Sequence, residues 1–150
     1  MLMGKELQVT VMIPNATPPV NRQQRLVRVL IVDDSPQVLH DLRQLLELSG
    51  LVEIVGEASD GLQAVLLASE LCPDVVVLDL EMPNMDGYEA TRQIKDRRLA
   101  RRVVILSVHA GPIEMETARL AGADCLITKG VRYEILLNAI LERDGSSKGA

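Results

Sequence analysis

The chain has no phenylalanine and no tryptophan, and only two tyrosines among its 150 residues. A core built from it is aliphatic, and stacking a nucleobase or a flavin ring between aromatic faces is hard to arrange. Cysteine is almost as scarce. Cys72 and Cys125 lie too far apart for a metal-type spacing, and their apolar surroundings predict two buried structural thiols. No apolar run is long enough to span a bilayer. The N-terminus lacks a charged region followed by a sustained apolar segment, so no export signal is read there. A formal net charge of −5 disfavours direct contact with nucleic acid or with an anionic membrane. A soluble, cytoplasmic protein is the expectation.

At 47% hydrophobic residues the chain can fill a full core, and its length suggests one domain with some to spare. Residues 1–25 read differently from the rest. Leu7–Ile13 alternates at period two, a half-buried strand signal, but Pro14, Pro18 and Pro19 with Asn15, Thr17 and Asn21 form a breaker-rich linker. A poorly ordered extension is expected over 1–25, a domain over 26–143, and a small polar tail over 144–150.

Within the domain the pattern is regular. Val27–Val32 is an apolar strand ending in Asp33 and Asp34; Ser35 suits an N-cap and Pro36 a first helical position. Val38, Leu39, Leu42, Leu45, Leu46 and Leu48 follow at helical spacing, stopped by Gly50. Leu51–Glu57 reads as a second strand. Asp60 and Gly61 turn into a helix burying Ala64, Val65, Leu67, Ala68 and Leu71, broken by Pro73 and Asp74. Val75–Leu78 then runs into Asp79 with the length and branching of a strand buried on both faces. A helix follows Gly87 to about Arg97, Arg102–Ser107 is strand four, Ile113–Ala121 a helix, Asp124–Thr128 strand five and Val131–Arg143 a last helix. Five alternations at about 25 residues each predict an α/β fold, a five-stranded parallel sheet with helices on both faces. The arginines Arg97, Arg98, Arg101 and Arg102 suit a helix C-terminus as solvated charge, with an acidic partner surface as the alternative and DNA the least favoured partner given the net charge.

In a parallel sheet all strands end on one edge. With strand order 2-1-3-4-5, Asp33, Asp34, Asp79, Ser107 and Lys129 come together where the order reverses. Each has a bland reading alone: a cap, a strand-end hydroxyl, a solvated ammonium. Together they pose an electrostatic problem, because clustered carboxylates repel. Mg²⁺ solves it as a hard cation taking oxygen ligands, and Lys129 adds a point charge suited to a phosphoryl oxygen. Metal, ammonium and hydroxyl around a carboxylate nucleophile are the parts for forming an aspartyl-phosphate.

Val29–Pro36, Val75–Gly87, Val104–Ser107 and Gly122–Lys129 resemble the receiver domain of two-component response regulators, the likeness covering about residues 27–143. It implies a flavodoxin-like three-layer fold of the stand-alone, chemotaxis-regulator kind. It implies further that Asp79 accepts a phosphoryl group from a histidine kinase or a histidine phosphotransfer protein. By the same resemblance Asp34, Asp79 and the Glu81 carbonyl ligate Mg²⁺ directly and Asp33 acts through water. Lys129 pairs with the phosphoryl group and Ser107 hydrogen-bonds it. Phosphorylation then switches contacts with a downstream protein, a homodimer remaining open, and the only reactions are phosphorylation of Asp79 and its reversal. No second domain is expected after residue 143, although the chain could equally be the excised receiver of a longer transcription factor.

The sequence departs from the family at several points. Leu126 stands where many receivers carry a Tyr or Phe that moves inward, and Gly130 follows the lysine where many have proline, so a trans peptide is expected. Glu81 and His109 occupy the two positions that tune phosphate lifetime; His109 reads more simply as an exposed loop residue. Leu126 keeps alive a phosphate-independent interaction module. A flavin electron carrier on the same fold is disfavoured by the acidic first loop and the missing aromatics.

Overall fold

The computed structural model describes residues 25–142. The extension expected over 1–25 lies outside them except for Arg25, as does the tail over 144–150. Ten elements alternate: β1 (Val27–Val32), α1 (Pro36–Leu48), β2 (Val52–Ala58), α2 (Gly61–Leu71), β3 (Val75–Asp79), α3 (Gly87–Asp96), β4 (Arg102–Ser107), α4 (Pro112–Ala121), β5 (Cys125–Thr128) and α5 (Tyr133–Leu141). The strands form one parallel sheet in the order β2-β1-β3-β4-β5, as expected.

Alternation along each strand divides the core. Leu30, Val32, Val76, Leu78, Val103 and Ile105 pack beneath α2, α3 and α4 with Ala64, Ala68, Ala90, Ile94 and Ala118. Their neighbours Val29, Ile31, Val75, Val77, Val104 and Leu106 pack on the other face, against Leu39, Leu42 and Leu46 of α1 and Leu136 and Ile140 of α5. All five residues of β3 are buried, which is why that strand reads as an unbroken apolar run. Burying each Val or Leu is worth roughly 1.5–3 kcal/mol, so the central strand anchors the sheet.

Helix starts follow their caps. Ser35 is extended and its Oγ accepts from the Val38 N–H, with Pro36 at the first helical positions. Asp60 caps α2 and Asp86 caps α3 through the N–H groups of Gln63 and Glu89. Gly50 follows α1 with φ +72°, a left-handed value that glycine adopts without strain.

Four local expectations are corrected. Cys72 is exposed, not buried; it is the left-handed C-cap of α2 (φ 49°), where the chain turns away from the sheet before Pro73. Cys125 is part-buried, and desolvation there pushes its thiol pKa up. Leu45 and Leu48 face outward, since the buried stripe of α1 is carried by Leu39, Leu42 and Leu46 alone. Arg102 is not a merely solvated charge: its Nε donates to the Ala139 carbonyl at 2.7 Å, tying β4 to α5. Arg101 pairs with Glu142, while Arg97 and Arg98 are exposed at the end of α3. No peptide bond among the described residues is cis, including the one before Gly130.

Candidate functional site

Register brings the strand ends level. Val32 lies beside Leu78 and Asp79 beside Leu106, so Asp33, one residue past β1, stands level with Asp79. Ser107 pairs with Thr128, and Lys129 follows one residue on. Asp33, Asp34 and Asp79 each offer a carboxylate oxygen, all within 4.8 Å of one another. Asp33 and Asp79 are buried, whereas Asp34 is exposed. The backbone holds the set in place. Asp33 Oδ1 accepts from the Ser35 N–H at 2.9 Å, and its own N–H donates to the Ala58 carbonyl at 3.1 Å. Asp79 Oδ1 accepts from the Leu80 N–H at 2.9 Å.

One ammonium serves the two buried carboxylates. Lys129 Nζ lies 3.1 Å from Asp33 Oδ2 and 3.1 Å from Asp79 Oδ1, and its N–H is pinned to the Ser107 carbonyl at 2.7 Å. Ser107 is buried, and its Oγ accepts from the His109 N–H at 3.1 Å. That leaves the hydroxyl proton available to donate into the site.

These strand-end motifs agree with the comparison to known proteins. The Response regulator receiver domain family matches residues 29–141. The chain belongs to that family. Nitrate/nitrite response regulator protein NarL of Escherichia coli (strain K12) is 36% identical over 117 residues, 78% of this chain and 54% of NarL. Transcriptional regulatory protein LiaR of Bacillus subtilis (strain 168) is 44% identical over 115 residues, 77% of this chain and 54% of LiaR. The chain thus spans about half the length of these curated relatives. Among solved structures, the signal receiver domain of NarL from Mycobacterium tuberculosis superposes with a TM-score of 0.74 at 34% identity, covering 78% of this chain and 94% of that one. CheY of Borrelia burgdorferi, solved in the CheX-CheY-BeF3-Mg²⁺ complex, gives a TM-score of 0.73 at 28% identity, covering 82% and 93%. The receiver is a signalling domain of two-component systems. Among its described residues no helix is long and apolar enough to cross a membrane.

Two of the three remaining expected positions fall at a cleft of about 370 Å³ beside Ser107. Glu81 and His109 line it with exposed side chains, together with Leu80, Met82, Tyr88 and Glu114. Leu126 is set apart from the carboxylates. It is half-buried against the apolar layer beneath α2, α3 and α4, to which Met82 and Tyr88 also contribute. The structure therefore brings together Asp33, Asp34, Asp79, Ser107 and Lys129, and leaves Glu81, His109 and Leu126 at the periphery.

Three carboxylates converging on one point are a hard-oxygen donor set, and they fit a divalent cation such as Mg²⁺. Their charge balance agrees. Burial pushes the Asp79 carboxyl above the usual range, against hydrogen-bonding and charge from Lys129, and the nearby Asp33 charge pushes the same way as burial. Burial also works against the Lys129 charge, but hydrogen bonds to Asp79 and Asp33 outweigh it and hold its pKa up. A raised carboxyl pKa means the fold favours neutral Asp79, so its stabilising contribution is present at acid pH and lost as pH rises through the folded value. Asp79→Asn is isosteric and neutral, and leaves Lys129 paired with Asp33. In metal-free buffer it is expected to melt above wild type at pH 7, the gap closing toward about pH 4 as Asp79 itself protonates.

Two residues that matter for the site's frame carried no functional signal in the sequence. Asp60 and Gly61 read only as a turn into a helix; in the structure both touch the loop that follows Asp79, at Asn84 and Met85. An Asp–Gly pair opening a helix is the sole hint, and it does not say what lies opposite.

Proposed function

We propose that Asp79 accepts a phosphoryl group, Mg²⁺-dependently, from a phosphohistidine of a histidine kinase or a histidine phosphotransfer protein, and that phosphorylation switches protein contacts. The observation carrying this reading is the buried Asp79 carboxylate at the end of β3, facing one ammonium at 3.1 Å and two further carboxylates. An Asp79 oxygen attacks the phosphorus; the P–N bond breaks, its electron pair returns to the imidazole, and the imidazole takes up a proton from solvent. Lys129 Nζ moves its charge onto a phosphoryl oxygen, and the Ser107 hydroxyl donates to another. Asp34, Asp79 and the Glu81 carbonyl would hold Mg²⁺, with Asp33 acting through an intervening water. When bound, the ion neutralises the carboxylates and the incoming phosphoryl oxygens. The related CheY of Borrelia burgdorferi, in its complex with BeF3 and Mg²⁺, supports this assignment by likeness.

The chain acts on no other substrate in this reading; phosphoryl transfer to its own Asp79 and subsequent hydrolysis are its whole chemistry. What the phosphorylated state acts on follows two routes. One is a separate downstream protein, without direct nucleic-acid contact by residues 25–142. The length of NarL and LiaR favours the second, in which the same switch acts on an output region of a longer regulator.

Incubation with acetyl phosphate and Mg²⁺ tests the proposal by intact mass. Wild type gains one phosphoryl group, and Asp79→Asn or chelated wild type gains none. A wild-type chain that binds Mg²⁺ yet stays unmodified would favour the phosphate-independent interaction module instead.

A further inference from the structure

The loop between β3 and α3, Leu80–Asp86, contains Glu81, and its base is closed by the Gly87 N–H on the Leu80 carbonyl at 2.8 Å. Its tip is held from a different element. Asn84, in the left-handed region at φ 68°, donates from Nδ2 to Asp60 Oδ2 at 2.8 Å. The other oxygen of the same carboxylate accepts from the Gln63 N–H at 2.8 Å and so caps α2. One residue beyond Asn84, the Met85 carbonyl sits where a Cβ on Gly61 would lie 2.2 Å from it. Backbone of the loop thus rests directly on the first turn of α2, a contact only glycine allows.

We propose that Asp60 and Asn84 are positioning residues, a clamp by which the start of α2 sets the shape of the 80–86 loop and thereby the affinity of the acidic site for its divalent cation. This rests on the phosphoryl-acceptor reading above. α2 contributes no carboxylate to the cluster; the contact of its first turn with the site is made through the loop that carries Glu81. Fixing a residue's backbone costs conformational entropy. A loop already ordered by the clamp does not bear that cost when the cation arrives, whereas a released loop does. The two hydrogen bonds, from the Gln63 N–H first and from Asn84 second, hold the Asp60 carboxyl below its usual range, so the acceptor stays ionised wherever the site itself is charged.

Asn84→Gly removes the donor and keeps the left-handed backbone without strain, but it also frees the chain at this position, so the exchange of partners below separates the hydrogen bond from the added backbone freedom. In this variant of the full chain, the Mg²⁺ dissociation constant measured by calorimetry is expected to rise roughly tenfold, in line with loss of a hydrogen bond to a charged group. Amide hydrogen exchange of residues 80–87 in chelator should accelerate, with exchange of α5 unchanged; a generally weakened fold would move both. The exchange of partners, Asp60→Asn with Asn84→Asp, retains one donor, one carboxylate and a competent cap, and is expected to restore affinity and protection. Unchanged Mg²⁺ affinity and loop exchange in Asn84→Gly, or no rescue by the exchange, overturns the clamp while leaving the acceptor reading intact. A wild-type chain that binds no Mg²⁺ overturns both.

Discussion

Gly87→Ala is expected to cost about 3 kcal/mol of stability, the upper end for overpacking, and to disable the site with it. An alanine Cβ there would lie 2.5 Å from the Asp79 carbonyl oxygen, 2.8 Å from the Leu80 Cα and 3.3 Å from the Asp79 carbonyl carbon. All three are backbone atoms, so no side chain can swing aside. Either α3 withdraws or the end of β3 shifts, and both move the Asp79 carboxylate that Lys129 and the Leu80 N–H hold. Urea titration gives the free energy, and the melting temperature should fall by roughly 10 °C. Gly130→Ala is the control. Nothing lies within 4 Å of its added Cβ, so only the left-handed φ of +92° is strained, at about 1–2 kcal/mol.

Lys129→Met is expected to slow phosphorylation of Asp79 by about 10²–10³-fold, the usual penalty for losing one donor aimed at developing charge. It is expected at the same time to tighten Mg²⁺ binding by roughly tenfold, because a divalent ion then meets carboxylates with no ammonium between them. Among the described residues no other cation contacts Asp33 or Asp79, so the effect has no local substitute. The opposite signs matter: a variant that had simply disordered the site would lose both rate and affinity. Acetyl phosphate kinetics with Mg²⁺ titration separates them.

The sheet was legible in the sequence because each strand is a short apolar run closed by a polar residue, and such runs repeat between amphipathic helices. The strand order 2-1-3-4-5 is the order expected of such a fold, and the structure has that order. The juxtaposition of Asp33, Asp34, Asp79, Ser107 and Lys129 was legible for the same reason: a parallel sheet collects its strand ends on one edge. Less visible was what depends on side-chain direction within a helix. Leu48 continues the leucine series of α1 yet is exposed, and Cys72 looks apolar by its neighbours yet caps the helix outside the core. Contacts between loops were not visible at all. The hydrogen bond from Asn84 to Asp60 joins two turns 24 residues apart, and neither turn's composition names the other. Arg102 shows the same limit: a charge beside three other arginines gives no sign that its guanidinium reaches the Ala139 carbonyl.

Phosphoryl transfer at the acidic end of β3, as proposed, is tested most directly by site mapping. After reaction with acetyl phosphate and Mg²⁺, borohydride reduces an acyl phosphate and marks the carboxylate that carried it. The mark is expected on Asp79 alone, absent without Mg²⁺ and strongly diminished in Lys129→Met. A mark on Asp33, Asp34 or Glu81 in the wild-type chain, or an unmarked Asp79 beside a bound Mg²⁺, would contradict it.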